Sequence, residues 1–330
     1  MNRLFFTGLI ALFTCNSSIA QDFHLAQFDA NPLNLNPALT GERLTDLKGF
    51  RLNCNYREQI ANYSSSSGSF KNISAGLDIP INSKFSIGQY FGNNKTGDGV
   101  FNASNFMIST AYKINNADIS DNSNFSVGLQ LGLLNTTFNP QNFTYGNQYS
   151  ASAADGFDRT IVSGENLFKV NLLKFNVNLG LYYRKNLMEN KLVVFGGASL
   201  YNISTPAKYD FVQAPIPLKY NVHAGAIYKL DEKLSVQPQI LFMNQLKANE
   251  LNMTALFFYK LTAHYEAIFG AGFRNKNALI VNAGLRMNSY TFRMSYCAVS
   301  GTLYDYRNKG LEFSLIYTAA KKVKTPHEVL

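Results

Sequence analysis

The feature that most constrains this chain is a period of two, held over segments of about ten residues and repeated along most of its length. In FSVGLQLGL, Phe125, Val127, Leu129, Leu131 and Leu133 alternate with Ser126, Gly128, Gln130 and Gly132. In FNVNLGLYY, Phe175, Val177, Leu179 and Leu181 alternate with Asn176, Asn178 and Gly180. LIVNAGLRM and YTFRMSY repeat the pattern. Such alternation marks a strand with two unlike faces. Soluble sandwiches also alternate, but in shorter strands with charged, bulky residues on the outer face. Here the second face is Gly, Asn, Ser, Thr and Gln with single charges. Apolar-out, polar-in segments of about ten residues, separated by turns, belong to a transmembrane β-barrel.

The fold class expected is all-β, an antiparallel barrel of about 14 strands. They fall near 48–57, 69–79, 84–91, 101–114, 123–137, 171–184, 192–201, 217–230, 234–246, 249–260, 263–273, 277–287, 289–297 and 309–318. An even number places both termini on one side of the membrane. Short connections (80–83, 231–233, 261–262, Asn288) then face the periplasm, and the long ones face outward. The longest, 138–170, is either a plug or partner-binding lid, or a solvated surface loop. Pro238, inside LSVQPQILF, predicts a bulge, because a closed sheet has no free edge to absorb a missing N–H. Tyr and Phe near strand ends suit an aromatic girdle; Trp is absent.

Residues 1–20 read as a secretory signal peptide: a short charged start, the apolar run Leu4–Phe13, and small residues before Gln21. Cys15 raises a lipoprotein reading, which Phe13 and Thr14 fit poorly. The domains expected are 21–47 as an N-terminal periplasmic segment, 48–318 as the barrel and 319–330 as a C-terminal periplasmic tail. The chain carries a net charge of +9, yet export and scattered Lys and Arg argue against nucleic acid as a partner. Membrane lipid is the expected surroundings of the wall.

Enzyme chemistry has no foothold. No G-x-S-x-G, G-x-G-x-x-G or Walker pattern occurs, and His24, His223, His264 and His327 lack metal spacing. No cofactor, metal or catalytic residue is expected, and the chain reads as a non-enzyme. Strand parity turns Cys54 toward lipid and Cys297 inward or into a loop, so no disulfide joins them. The same parity sends Arg51, Asp78, Lys113, His223, Lys229, His264, Glu266, Arg286, Arg293 and Glu312 into the lumen. Interleaved signs fit either internal pairing that occludes the lumen or charges solvated by lumen water. The short link between the strands at 263–273 and 277–287 sets His264 beside Arg286, with Glu266 one diagonal away.

The segment AQFDANPLNLNPALTG resembles the head of the PorP/SprF family of type IX secretion membrane proteins. The matching positions are Gln27, Phe28, Asn31, Pro32, Asn36, Pro37, Ala38 and Gly41. Later segments, including GAIYKLDEKLSVQPQILF and the closing GLEFSLIY, are similar to that family as well. The resemblance implies an outer-membrane accessory barrel of type IX secretion and gliding machinery. It implies periplasmic partners from that machinery and a large secreted adhesin as cargo. The other function class open to such a barrel is a channel for small solutes. Leu33 and Leu35 depart from the aromatic residues often found there in the family, which leaves the partner open.

The two Asn-Pro pairs have a physical reading. Asn caps a helical turn and Pro is preorganised for its first position. Gly41 closes the second turn in a left-handed conformation. Two rigid turns would then display Leu33, Leu35 and Leu39, either for a partner or against the periplasmic mouth of the barrel.

Overall fold

Fourteen antiparallel strands close on themselves, each bonded to its neighbours in sequence, with the last returning to the first. The computed structural model describes residues 25–42, 44, 49–60, 69–96, 100–114, 123–140, 143–154, 156–165, 168–204, 216–246, 248–275, 278–299 and 309–319. The strands are β1 (Phe50–Ile60), β2 (Ser69–Pro80), β3 (Phe85–Thr96), β4 (Phe101–Lys113), β5 (Ser123–Phe138), β6 (Val170–Leu187) and β7 (Leu192–Tyr201). They continue as β8 (Lys219–Lys229), β9 (Leu234–Gln245), β10 (Ala248–Lys260), β11 (Tyr265–Arg274), β12 (Ala278–Met287), β13 (Tyr290–Val299) and β14 (Lys309–Ala319). All fourteen expected strands are present. The largest displacement of an end is at β3, which runs on to Thr96. The leader at 1–20 and the tail beyond Ala319 lie outside the described residues.

Alternation sorts the wall as the period requires. Leu129, Leu131, Leu133, Leu179 and Leu181 point outward and are exposed, while Ser126, Gln130, Asn176 and Asn178 are buried inside. Outward aromatic residues crowd the strand ends on the side of the short turns: Phe50, Phe85, Tyr112, Tyr259, Tyr265 and Tyr290. This is the girdle of a membrane barrel. Three of these turns share one device. Asn82, Asp231 and Thr262 each accept hydrogen bonds from the backbone N–H groups two and three residues on. Side-chain mimicry of a backbone turn explains why so few residues suffice there. The N–H groups of Leu234 and Lys233 also hold the Asp231 carboxyl below its ordinary range.

Two expectations about the wall need correction. Pro238 makes no bulge: Gly225 pairs with Gln239 and Tyr228 with Val236, so the register is the same on both sides of it. The ladder between β8 and β9 simply lacks its intervening pairs, while the ladder to β10 runs through Ala255↔Pro238 unbroken. The missing N–H is absorbed by a local gap. Second, His264 lies in the turn before β11, exposed, with Nδ1 2.9 Å from Asn288 Oδ1. It is not a lumen residue. The β11–β12 connection takes residues 275–277, which slides the register so that Glu266 faces Arg286 directly.

The largest correction concerns the head. Expected as a periplasmic segment, residues 25–42 and Leu44 instead sit inside the barrel, and all but Asp29 and Asn34 are buried. They form a 3-10 turn (Phe28–Ala30), a one-turn helix α1 (Pro32–Leu35) and a second 3-10 turn (Pro37–Leu39). Leu25 lies among Lys219, Asn221, Leu241 and Met243, toward the long-loop end of β8 and β9. Gly41 reaches Asp78 at the short-turn end. The head therefore crosses the lumen as a plug. The reason is chemical: its buried amides and carbonyls find partners in the polar inner wall that water would otherwise have to supply.

Candidate functional site

Residues of the head account for the seat of the plug one by one. Asn36 is the N-cap of the second 3-10 turn: its Oδ1 accepts the Ala38 N–H at 2.9 Å. That bond fixes the amide orientation and aims Nδ2 at the wall. Nδ2 donates to the Leu181 carbonyl at 2.8 Å and lies 3.3 Å from the Ala198 carbonyl and 3.2 Å from His223 Nε2. His223 in turn stacks on Tyr182, with ring centroids 6.0 Å apart. Asn31 does not cap α1. It spends its side chain on the wall, donating to Ser74 Oγ at 2.8 Å and accepting from Asn53 Nδ2 at 3.2 Å. Pro32 and Pro37 both take the first helical position, where a missing N–H costs nothing.

Gln27 is tied to β14 by its backbone and its side chain, and Phe28 packs with Leu35, Ala38 and Leu39 in the plug's apolar cluster. Ala38 passes so close to β5 that a Cβ on Gly128 would overlap its backbone. A Cβ on Gly180 of β6 would overlap the Asn36 side chain in the same way. These glycines make room for the head. Gly41, at φ +68°, adopts the left-handed conformation expected of it, and its N–H donates to Asp78 Oδ2 at 2.6 Å. Leu33, Leu35 and Leu39 are buried rather than displayed. Leu33 packs on Tyr90 and Met107. The eight family positions are thus brought together, at a seat inside the barrel and not on an outward docking surface.

Plug carbonyls find wall donors: Gln130 Nε2 to Leu33, Tyr201 Oη to Asn34, Ser199 Oγ to Leu35 and Arg51 Nη2 to Leu39. Leaving such buried groups unpaired would cost about 1–3 kcal/mol each.

Six of the expected lumen charges pair, as their interleaved signs allow. Arg51 meets Asp78 at 2.6 Å, Arg293 meets Asp29 of the plug at 2.9 Å, and Glu266 meets Arg286. Glu312 lies 3.5 Å from Arg57 and accepts the N–H groups of Ala26 and Gln27. Four participants escaped the sequence reading, among them Asp29 of the plug. Arg57 shares the parity of Arg51 and was legible from it. Arg184 and its partner Glu42, 3.5 Å apart, join wall and plug, but only the fold places the plug acid beside the wall base. Cys54 faces outward and Cys297 is buried, unbonded to each other as expected.

Between the plug and the short-turn end lies a cavity of about 540 Å³. Its floor includes Phe28, Leu35 and Leu39, and its walls carry Arg51, Arg184, Arg286 and Arg293. On the other side of the plug the space shrinks to about 40 Å³ between Asn72, Asn94, Asn105, Asn176 and Asn178. The described part of the 138–170 loop folds on itself and is not the plug. Tyr149 bridges Phe157, Gln148 Nε2 donates to the Ile161 carbonyl, and Val162 and Phe168 stand exposed. Among the described residues, no group of three His, Cys, Asp or Glu is placed to hold a metal.

Comparison with known proteins agrees with this architecture. The CymD monoaromatic hydrocarbon channel superposes with a TM-score of 0.52 at 14% identity, covering 90% of this chain and 94% of that one. The Ralstonia pickettii toluene transporter TbuX gives 0.52 at 9% identity, covering 88% and 93%. The Pseudomonas putida toluene transporter TodX gives 0.51 at 10%, covering 87% and 93%. At such identities the likeness is one of fold, a membrane barrel of the outer-membrane kind. No curated relative matches. The family model for the type IX secretion system membrane protein PorP/SprF matches residues 17–317, nearly the whole chain. The chain, an outer-membrane β-barrel associated with type IX secretion, belongs to the PorP/SprF family.

Proposed function

We propose that this barrel is a non-enzymatic accessory of type IX secretion and gliding machinery that supports the export or surface anchoring of a large adhesin-type cargo. Its partners on this reading are periplasmic components of the machinery and the cargo itself. The observation that carries it is the plug. A solute pore needs a passage, whereas this lumen is crossed by a segment bonded to both halves of the wall, from Glu312 to Asp78 to Leu181. Those bonds favour a rigid docking body over a conduit. The second reading, a small-solute channel, draws on the 540 Å³ cavity and on the hydrocarbon channels and toluene transporters that share the fold.

Deleting the chain in a host that carries its cognate adhesin separates the two. The accessory reading expects the adhesin to disappear from the cell surface while small-solute uptake is unchanged. Normal surface display in the deletion strain would refute it.

A further inference from the structure

The cavity at the short-turn end has a lining that barrel architecture does not call for. Inward-facing wall positions of a membrane barrel are polar. On the loop side of the plug most are, with Asn72, Asn105 and Asn178 beside Tyr90 and Met107 around the small space there. On the turn side, Phe195, Ile227, Phe258, Ile268 and Ile316 point inward instead. Phe195 also packs against the apolar cluster of the plug, yet the described residues leave about 540 Å³ between these walls and the plug. That volume lies in the range of binding pockets, roughly 300–1,000 Å³. Apolar wall left facing water costs about 25 cal/mol per Å². The lining therefore matches an apolar occupant.

The polar groups narrow its chemistry. Each arginine of the cavity has a carboxylate partner: Arg51 with Asp78, Arg184 with Glu42, Arg286 with Glu266 and Arg293 with Asp29. An anionic headgroup would have to displace one of them. The remaining polar lining is uncharged, with Gln237, Asn288, Ser289, Thr291 and Thr318 among it. Amides and hydroxyls of this kind hydrogen-bond peptide backbone. The mouth opens toward the short turns, which face the periplasm.

We infer that this vestibule receives an uncharged, apolar peptide segment of a periplasmic partner protein. Its side chains lie among Phe195, Ile227 and Phe258, and its backbone meets the amides and hydroxyls of the rim. The inference deepens the secretion reading above and rests on it.

In-cell photo-crosslinking tests it. p-Benzoylphenylalanine replaces Phe195 or Ile227 in the full-length chain in its own host. Control positions are Asn94, on the loop side of the plug, and Phe85, on the lipid face. Heat-modifiable migration checks that each variant is a folded barrel. The expected result is a protein adduct at 195 and 227, at least ten-fold stronger than at 94 and 85. Mass spectrometry should identify it as a periplasmic component of the type IX apparatus, joined through an apolar, uncharged segment. In a strain carrying the probe at 195, Ile227→Asp should lower the adduct by a similar factor. No adduct, a small-molecule or lipid adduct, or a crosslink to 320–330 in place of a partner would overturn the inference. So would capture through a charged segment. Cargo display, measured in the same strains, keeps the two readings apart: intact display without an adduct rejects the vestibule partner and leaves the secretion role standing.

Discussion

Gln27 and Glu312, 285 residues apart in sequence, hold each other through backbone and side chain. The Gln27 N–H donates to Glu312 Oε1 at 2.9 Å, and Gln27 Nε2 donates to the Glu312 carbonyl at 3.2 Å. The second carboxylate oxygen accepts the Ala26 N–H at 2.7 Å and lies 3.5 Å from Arg57. One wall carboxylate thus serves two plug amides and a buried guanidinium. Glu312→Ala would remove the carboxylate from all three, and breaking a buried charge pair costs about 3–5 kcal/mol. The variant should keep a heat-modifiable barrel but release its plug, seen as proteinase K cleavage within residues 25–44. The wild type should be protected there. Glu312→Gln, which keeps an acceptor but not the charge, should fall between them.

Gly128→Val and Gly180→Val test the seat from the wall side. Val is favoured in strands, so the barrel itself gains from either change. The new side chains would occupy the space of Ala38 and Asn36. Both variants should form barrels with an exposed, cleavable plug. Gly310→Ala is the matched control, because its Cβ would sit 3.5 Å from Cys297 Cβ, an ordinary contact. Protection of the plug in both valine variants would show that the head does not need this approach.

Asn36 should rank its substitutions in an informative order. Ala removes a cap worth roughly 0.5–2 kcal/mol and leaves the Leu181 carbonyl without its donor. Asp keeps the cap to Ala38 but turns a carboxylate oxygen toward the Leu181 and Ala198 carbonyls. Repulsion there should make Asp the more damaging change. Hydrogen exchange at the plug amides reads this directly, and equal exchange in the two variants would count against the assigned amide orientation.

Glu266 and Arg286 form the contrasting pair. They face each other across β11 and β12 at the mouth, where the Arg286 side chain is 45% exposed. Screening limits such a pair to roughly 0.2–1 kcal/mol. A double-mutant cycle by chemical unfolding should find a small coupling that fades with added salt. A salt-independent coupling of several kcal/mol would contradict the exposed placement.

The wall was legible in the sequence because period-two alternation reports two unlike surroundings, lipid and lumen, at every strand. Cys54 and Cys297 were assigned to opposite faces on that ground alone. The turns at Asn36-Pro37 and Gly41 were legible for the same kind of reason: capping and left-handed φ are local demands that residue type reveals. The location of the head was not. Asn31 and Asn36 read alike whether they face water or a wall of amides, and nothing local distinguishes the two. The signal lay in a combination: inward glycines at 128 and 180, opposite a segment rich in Asn and Leu. Pro238 misled because a gap of two pairs, invisible to pattern, absorbs its missing N–H. His264 misled because β11 begins at Tyr265, two residues later than the alternation suggests, which leaves His264 in the turn.

Single-channel recording in planar bilayers tests the plugged lumen most directly. The account predicts that purified wild-type barrel shows no stable large conductance. Deletion of residues 25–44, or Gly128→Val in the full-length chain, should open one. A stable large conductance in the wild type, or a lumen that stays silent in folded barrels of both variants, would contradict it.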